Sequence, residues 1–87
     1  MIAAPAASVL VVDDDRTVCD LIRNILESRG YATALACNGK EALAYLKKSP
    51  RAPRLILLDL MMPEMNGWEF QRAQQQDPAI CGIPVAI

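Results

Sequence analysis

Residues 55–67 read LILLDLMMPEMNG, and the reading of this stretch decides the fold. Leu55, Ile56, Leu57 and Leu58 run directly into Asp59, followed by a Met-Met-Pro run and an Asn-Gly pair. A short, unbroken aliphatic run suits a strand covered on both faces, as in a parallel sheet. Such a strand delivers Asp59 at its carboxyl end, either as a solvated strand end or as a group with a chemical task.

Upstream, SVLVV at residues 8–12 is a second run of the same kind, and it ends in Asp13, Asp14 and Asp15. Beyond it Val18, Leu21, Ile22, Ile25 and Leu26 recur at helical spacing, and Gly30 stands where a helix stops. YATALA at 31–36 reads as a second strand. NGKEALAYLKKS then reads as a helix with Asn38 as N-cap and Glu41 three residues on, as in a capping box. Ala42, Leu43 and Leu46 supply its inner face, and Pro50 and Pro53 break it. WEFQRAQQQ at 68–76 is a third helix and PVAI at 84–87 a fourth strand. Its glutamines leave Trp68, Phe70 and Ala73 to face the sheet, so a loosely packed surface helix is expected there.

Strands alternating with helices imply a doubly wound α/β fold: parallel strands, right-handed crossovers and helices on both faces. At 87 residues the chain is at most one small domain, and 53% apolar with 5% aromatic residues describes aliphatic packing. The net charge of -1, with no basic stripe, argues against nucleic-acid binding through this segment. Cys19, Cys37 and Cys81 form no Cys-x-x-Cys pair and there is no histidine, which argues against zinc. They read instead as small buried hydrophobes in a reducing cytoplasm. The apolar opening has no Lys or Arg before it and is too short to span a bilayer, so residues 1–7 read as a flexible leader.

In a doubly wound sheet, functional groups gather at the carboxyl ends of the strands. Asp13, Asp14 and Asp15 follow the first strand and Asp59 ends the third. If those strands are neighbours, several carboxylates meet in one cleft, and a hard divalent cation relieves their repulsion. Asp15 reads better as a cap at the dipole-favoured end of the first helix. Asp14 and Asp59 read better as a site. Met62 and Met65 read as loop packing, and Trp68 as a packing residue that could serve as an optical probe.

VLVVDDD followed by LILLDLMMPEMNG, with GYATALACNGKEAL between them, resembles the receiver domain of two-component response regulators over residues 8–87. The resemblance implies the flavodoxin-like receiver fold, with strand order 2-1-3-4 for the part present. It implies that Asp59 is the phosphoacceptor for a histidine kinase or phosphotransfer protein. It also implies Mg²⁺ held by Asp14, Asp59 and the backbone carbonyl of Met61, with Asp13 holding metal-bound water. Such a domain is a cytoplasmic signalling phosphoacceptor rather than a turnover enzyme. Pro63 would fix φ in the loop, and Gly67 would take the positive φ of the turn after Asn66.

Receiver domains continue into a Ser or Thr hydroxyl after the fourth strand and a Lys after a fifth, and the sequence ends at Ile87 before either. Lys40, Lys47 and Lys48 belong to the second helix and do not match that lysine. Residues 8–87 are thus expected to form a partial receiver domain. Its fourth-strand edge would be exposed, which predicts instability or self-association.

Two other readings compete. VVDDDRTV also fits the Asp-x-Asp-x-Thr-Val signature of haloacid dehalogenase-like phosphotransferases, with Asp13 as nucleophile and Asp15 as acid/base. That reading leaves DLMMPEMNG unexplained. A receiver-like module that binds partners without accepting phosphate is the third.

Overall fold

The computed structural model describes residues 8–49, 51–60, 62 and 65–87. The elements are β1 (Val9–Val12), α1 (Arg16–Ser28), β2 (Thr33–Ala36), α2 (Gly39–Lys48), β3 (Leu55–Leu58), α3 (Gly67–Gln76) and β4 (Val85–Ala86). Residues 1–7, read as a leader, lie outside the described residues, as do Met61 and Pro63. No helix among the described residues is long and apolar enough to cross a membrane.

The four strands form one parallel sheet in the order β2-β1-β3-β4. β1 is central and all four of its residues are buried, as its unbroken aliphatic run requires. Because side chains alternate across a strand, β1 feeds two cores. Leu10 and Val12 join Ile56, Leu58, Ala42, Leu46 and Phe70 on the face covered by α2 and α3. Val9 and Val11 join Cys19, with Ile22, Leu26, Leu35 and Leu57 packed around them, on the α1 face.

Asp15 caps α1, its carboxylate accepting from the Thr17 and Val18 amides at 3.0 and 3.3 Å. Asn38 caps α2 through the Glu41 amide at 2.8 Å. Glu41 reaches back one residue further than the sequence pattern implies, accepting from the Cys37 amide at 3.0 Å. The full reciprocal capping box occurs instead on α3, between Asn66 and Glu69.

Four expectations change. First, α3 is well anchored. Phe70 is completely buried, and buried Gln74 donates through Nε2 to the Ile80 and Ile83 carbonyls at 2.9 and 3.0 Å. An amide side chain thus does packing work that hydrophobic patterning assigns to aliphatic residues. Second, Trp68 is 56% exposed rather than packed on the sheet, because it leaves α3 next to the cap. Third, positive φ falls on Met65, at 50°, and not on Gly67. Gly67 serves close approach: a Cβ there would lie 2.6 Å from Leu60 Cδ2 and 2.9 Å from the Asp59 carbonyl oxygen. Fourth, only Cys19 is a buried thiol, while Cys37 and Cys81 are exposed. Met62 is buried and Met65 packs against the same core, as loop packing implies.

β4 pairs with β3 alone, so among the described residues its other side has no strand. Beside it a groove of about 480 Å³ runs between α1 and the sheet, lined by Val11, Ile22, Leu57, Ala86 and Ile87 and ending at Asp13 and Asp59.

Candidate functional site: an acidic cluster at the sheet's carboxyl edge

The sheet ladder positions the site. Val12 stands opposite Ala36 on one side and Leu58 on the other. The ladder extends one step further, with the Asp13 amide donating to the Ala36 carbonyl at 3.0 Å and the Asp59 amide to the Val12 carbonyl at 2.9 Å. Both aspartates therefore leave the sheet from fixed backbone, on adjacent strands, at the same edge.

Carboxylate oxygens of Asp13, Asp14 and Asp59 lie within 4.8 Å of one another. The Asp13 side chain folds forward to accept from the Asp15 amide at 2.9 Å. Burial, and then the charges of Asp59, Asp14 and Asp15, raise the Asp13 carboxyl above its usual range, partly offset by that amide. The donor set is all oxygen, partly exposed and negatively charged, which fits a hard divalent cation and not a soft one.

Asp15 is not part of the cluster, since its carboxylate serves the α1 cap. The Met61 carbonyl, expected as a ligand, lies outside the described residues. The loop beyond Asp59 is nonetheless held at both described ends. Gly67 donates to the Leu60 carbonyl at 3.1 Å, and Gly39 at the start of α2 donates to the Met65 carbonyl at 3.2 Å.

A second cavity, of about 240 Å³, opens beside the cluster and is lined by Asp13, Asp14, Arg16, Cys19, Cys37 and Glu41. The Cys37 thiol and amide both hydrogen-bond Glu41 and hold its carboxyl below the usual range. Cys19 donates its thiol to the Asp13 carbonyl at 3.3 Å, and burial together with the Asp13 charge pushes that thiol up. Arg16, Cys37 and Glu41 were not singled out for the site from sequence. Only the shared turn positions of β1–α1 and β2–α2 hinted that they meet.

Residues 9–87 match the family model described as the response regulator receiver domain. The chain belongs to the response regulator receiver domain family.

Among the receiver domain's relatives is an alkaline phosphatase synthesis transcriptional regulatory protein of Synechococcus elongatus, 38% identical over 98% of this chain and 34% of that protein. The crystal structure of an N-terminal response regulator receiver domain from Methanoculleus marisnigri is 42% identical. It has a TM-score of 0.84 and covers 91% of this chain and 63% of that one. The receiver domain of a signal transduction histidine kinase from Syntrophus aciditrophicus is 38% identical with a TM-score of 0.82, covering 92% of this chain and 59% of that one. The chain thus spans about a third of the curated relative and under two thirds of these solved structures. The parallel sheet order matches the flavodoxin-like fold of these receiver domains.

Proposed function

We propose that this receiver domain accepts a phosphoryl group on Asp59 from a phosphohistidine on a histidine kinase or phosphotransfer protein, with Mg²⁺ at the acidic cluster. The observation that carries the reading is the meeting of Asp13, Asp14 and Asp59 oxygens within 4.8 Å at the end of two paired strands.

Asp14 and Asp59 would hold the ion directly and Asp13 through water, with the Met61 carbonyl as a further ligand. When bound, the ion supplies charge neutralisation for the phosphoryl oxygens. The chain's own contribution is positioning, the main demand of phosphoryl transfer. One Asp59 oxygen bonds to phosphorus as the P–N bond breaks, and the imidazole leaves with that electron pair. The product is an acyl phosphate, a signalling state rather than a step in turnover. The domain would work in the cytoplasm, and the open β4 edge would favour self-association.

The dehalogenase-like reading needs Asp15 free as acid/base, and the α1 cap occupies it. A binding module without phosphoacceptance needs no such cluster.

The test is incubation with Mg²⁺ and acetyl phosphate, followed by intact mass and acid-stabilised peptide mapping. An adduct on Asp59, lost in Asp59→Asn, is expected. An adduct on Asp13 would transfer the case to the phosphotransferase reading, and no adduct from folded, Mg²⁺-binding protein would favour the binding module.

A further inference from the structure

Arg16 occupies an unusual place. It is the first residue of α1, directly after the Asp15 cap, where the helix N-terminus already concentrates positive potential and disfavours a cation. No stabilising reason within the helix puts an arginine there. Among the described residues it forms no ion pair of the kind that joins Arg23 to Asp20 at 3.2 Å.

Its side chain lines the 240 Å³ cavity together with Asp13, Asp14 and Glu41. Its charge is felt at Glu41, while the charges acting on Asp13 are those of Asp59, Asp14 and Asp15. Arg16 and Glu41 thus line the same cavity, close enough for the charge of one to act on the other. Glu41 is held in place by its Cys37 bonds. The mouth beside the cluster is thus framed by one cation and one anion, on a site whose three carboxylates repel any incoming phosphate.

We propose that Arg16 captures the phosphoryl dianion of small acyl phosphate or phosphoramidate donors at this mouth, with Glu41 opposing it, and so sets how readily the site accepts from free small molecules. This rests on the Asp59 acceptor reading. Arg16 makes no bond to the transferred atom: Asp59 bonds to phosphorus, the bond to the donor's oxygen or nitrogen breaks, and the leaving group takes the pair. The guanidinium's planar fork matches a phosphoryl oxygen pair, and two opposed charges at a cleft mouth act on encounter more than on chemistry.

The probes are acetyl phosphate for transfer and inorganic phosphate for equilibrium binding, with Mg²⁺ saturating and ionic strength low. Arg16→Gln is expected to raise the KM for acetyl phosphate and the Kd for phosphate by about three- to tenfold, with the Mg²⁺ Kd unchanged. Arg16→Lys is expected to restore most of the loss. Glu41→Gln, which keeps an acceptor for the Cys37 amide, should shift both constants the other way, and salt should flatten all these differences. An Arg16→Gln protein with wild-type KM and phosphate affinity overturns the inference. So does a loss that follows a changed Mg²⁺ affinity. If wild-type protein binds phosphate in an Arg16-dependent way but forms no Asp59 adduct, the acceptor reading falls and the role of Arg16 stands.

Discussion

Asp13 and Asp59 stand side by side because Val12 is paired with Leu58, and the Asp59 amide carries the ladder one bond further to the Val12 carbonyl at 2.9 Å. Two carboxylates far apart in sequence are thereby fixed by backbone, before any side-chain choice. Their proximity is built into the strand register, and a one-residue slip would send one of them to the opposite face.

That proximity gives the apo protein a pH dependence. Asp13 has its carboxyl raised above 3.8, first by burial and then by neighbouring charges. An acid with a raised folded-state pKa holds its proton more tightly in the native chain, so its ionisation opposes folding. The penalty is absent below the unfolded value near 3.8 and complete above the raised folded value. Asp13→Asn, which retains an acceptor for the Asp15 amide, should therefore be more stable than wild type at neutral pH in a chelator. The gain should vanish as pH falls through that window. Urea melts across the range measure it, and an unchanged or enlarged gain at low pH would contradict it.

Divalent metal should reverse the balance. Binding to the native cluster alone stabilises by about 2.7 kcal/mol at a hundredfold excess over Kd. Thermal melts should show Mg²⁺ raising the Tm of wild type and failing to do so for Asp14→Asn and Asp59→Asn. An equal rise in all three proteins would place the ion elsewhere.

Asp15 separates structure from chemistry. Asp15→Ala removes the acceptor for the Thr17 and Val18 amides and should cost about 1 kcal/mol in a denaturant melt. Adduct formation on Asp59 should continue at a similar rate in the folded protein. Loss of transfer at full stability would revive an acid/base role for this residue.

Gly67→Ala should be costly for a reason unrelated to φ. The new methyl would meet Leu60 at 2.6 Å and the Asp59 carbonyl oxygen at 2.9 Å. Forced repacking of this kind costs about 1–3 kcal/mol. Because the displaced backbone is that of Asp59, adduct formation on Asp59 should fall along with stability. Gly82→Ala, which meets nothing within 4 Å, is the control for a bare glycine-to-alanine change.

Much of this was legible in the sequence, and the residues show why. Continuous aliphatic runs at Val9–Val12 and Leu55–Leu58 mark buried parallel strands, and the aspartates that follow them mark the edge where the carboxylates meet. The less legible parts depend on contacts between distant segments. Gln74 reads as surface polarity until its amide is seen between two carbonyls of the turn before β4. Trp68 reads as core until the Asn66 cap sets the rotation of α3 and leaves it outside. The glycine after Asn66 suggests a left-handed turn, yet Met65 adopts it and Gly67 is small to let α3 touch Asp59 and Leu60. Hydrophobic period reports burial by neighbours of the same element, and none of these residues is placed that way.

The central position of β1 has a kinetic consequence. β1 is completed late, since both of its partners, β2 and β3, come from later sequence. The core of the sheet, and with it the pairing that brings Asp59 to Asp13, closes only by a non-local step. During synthesis the amino-terminal half must wait with its most aliphatic strand half-covered. Acquisition of cation binding on refolding would time the docking of β3 onto β1, so the acidic edge serves as a built-in clock for the slow event in this fold.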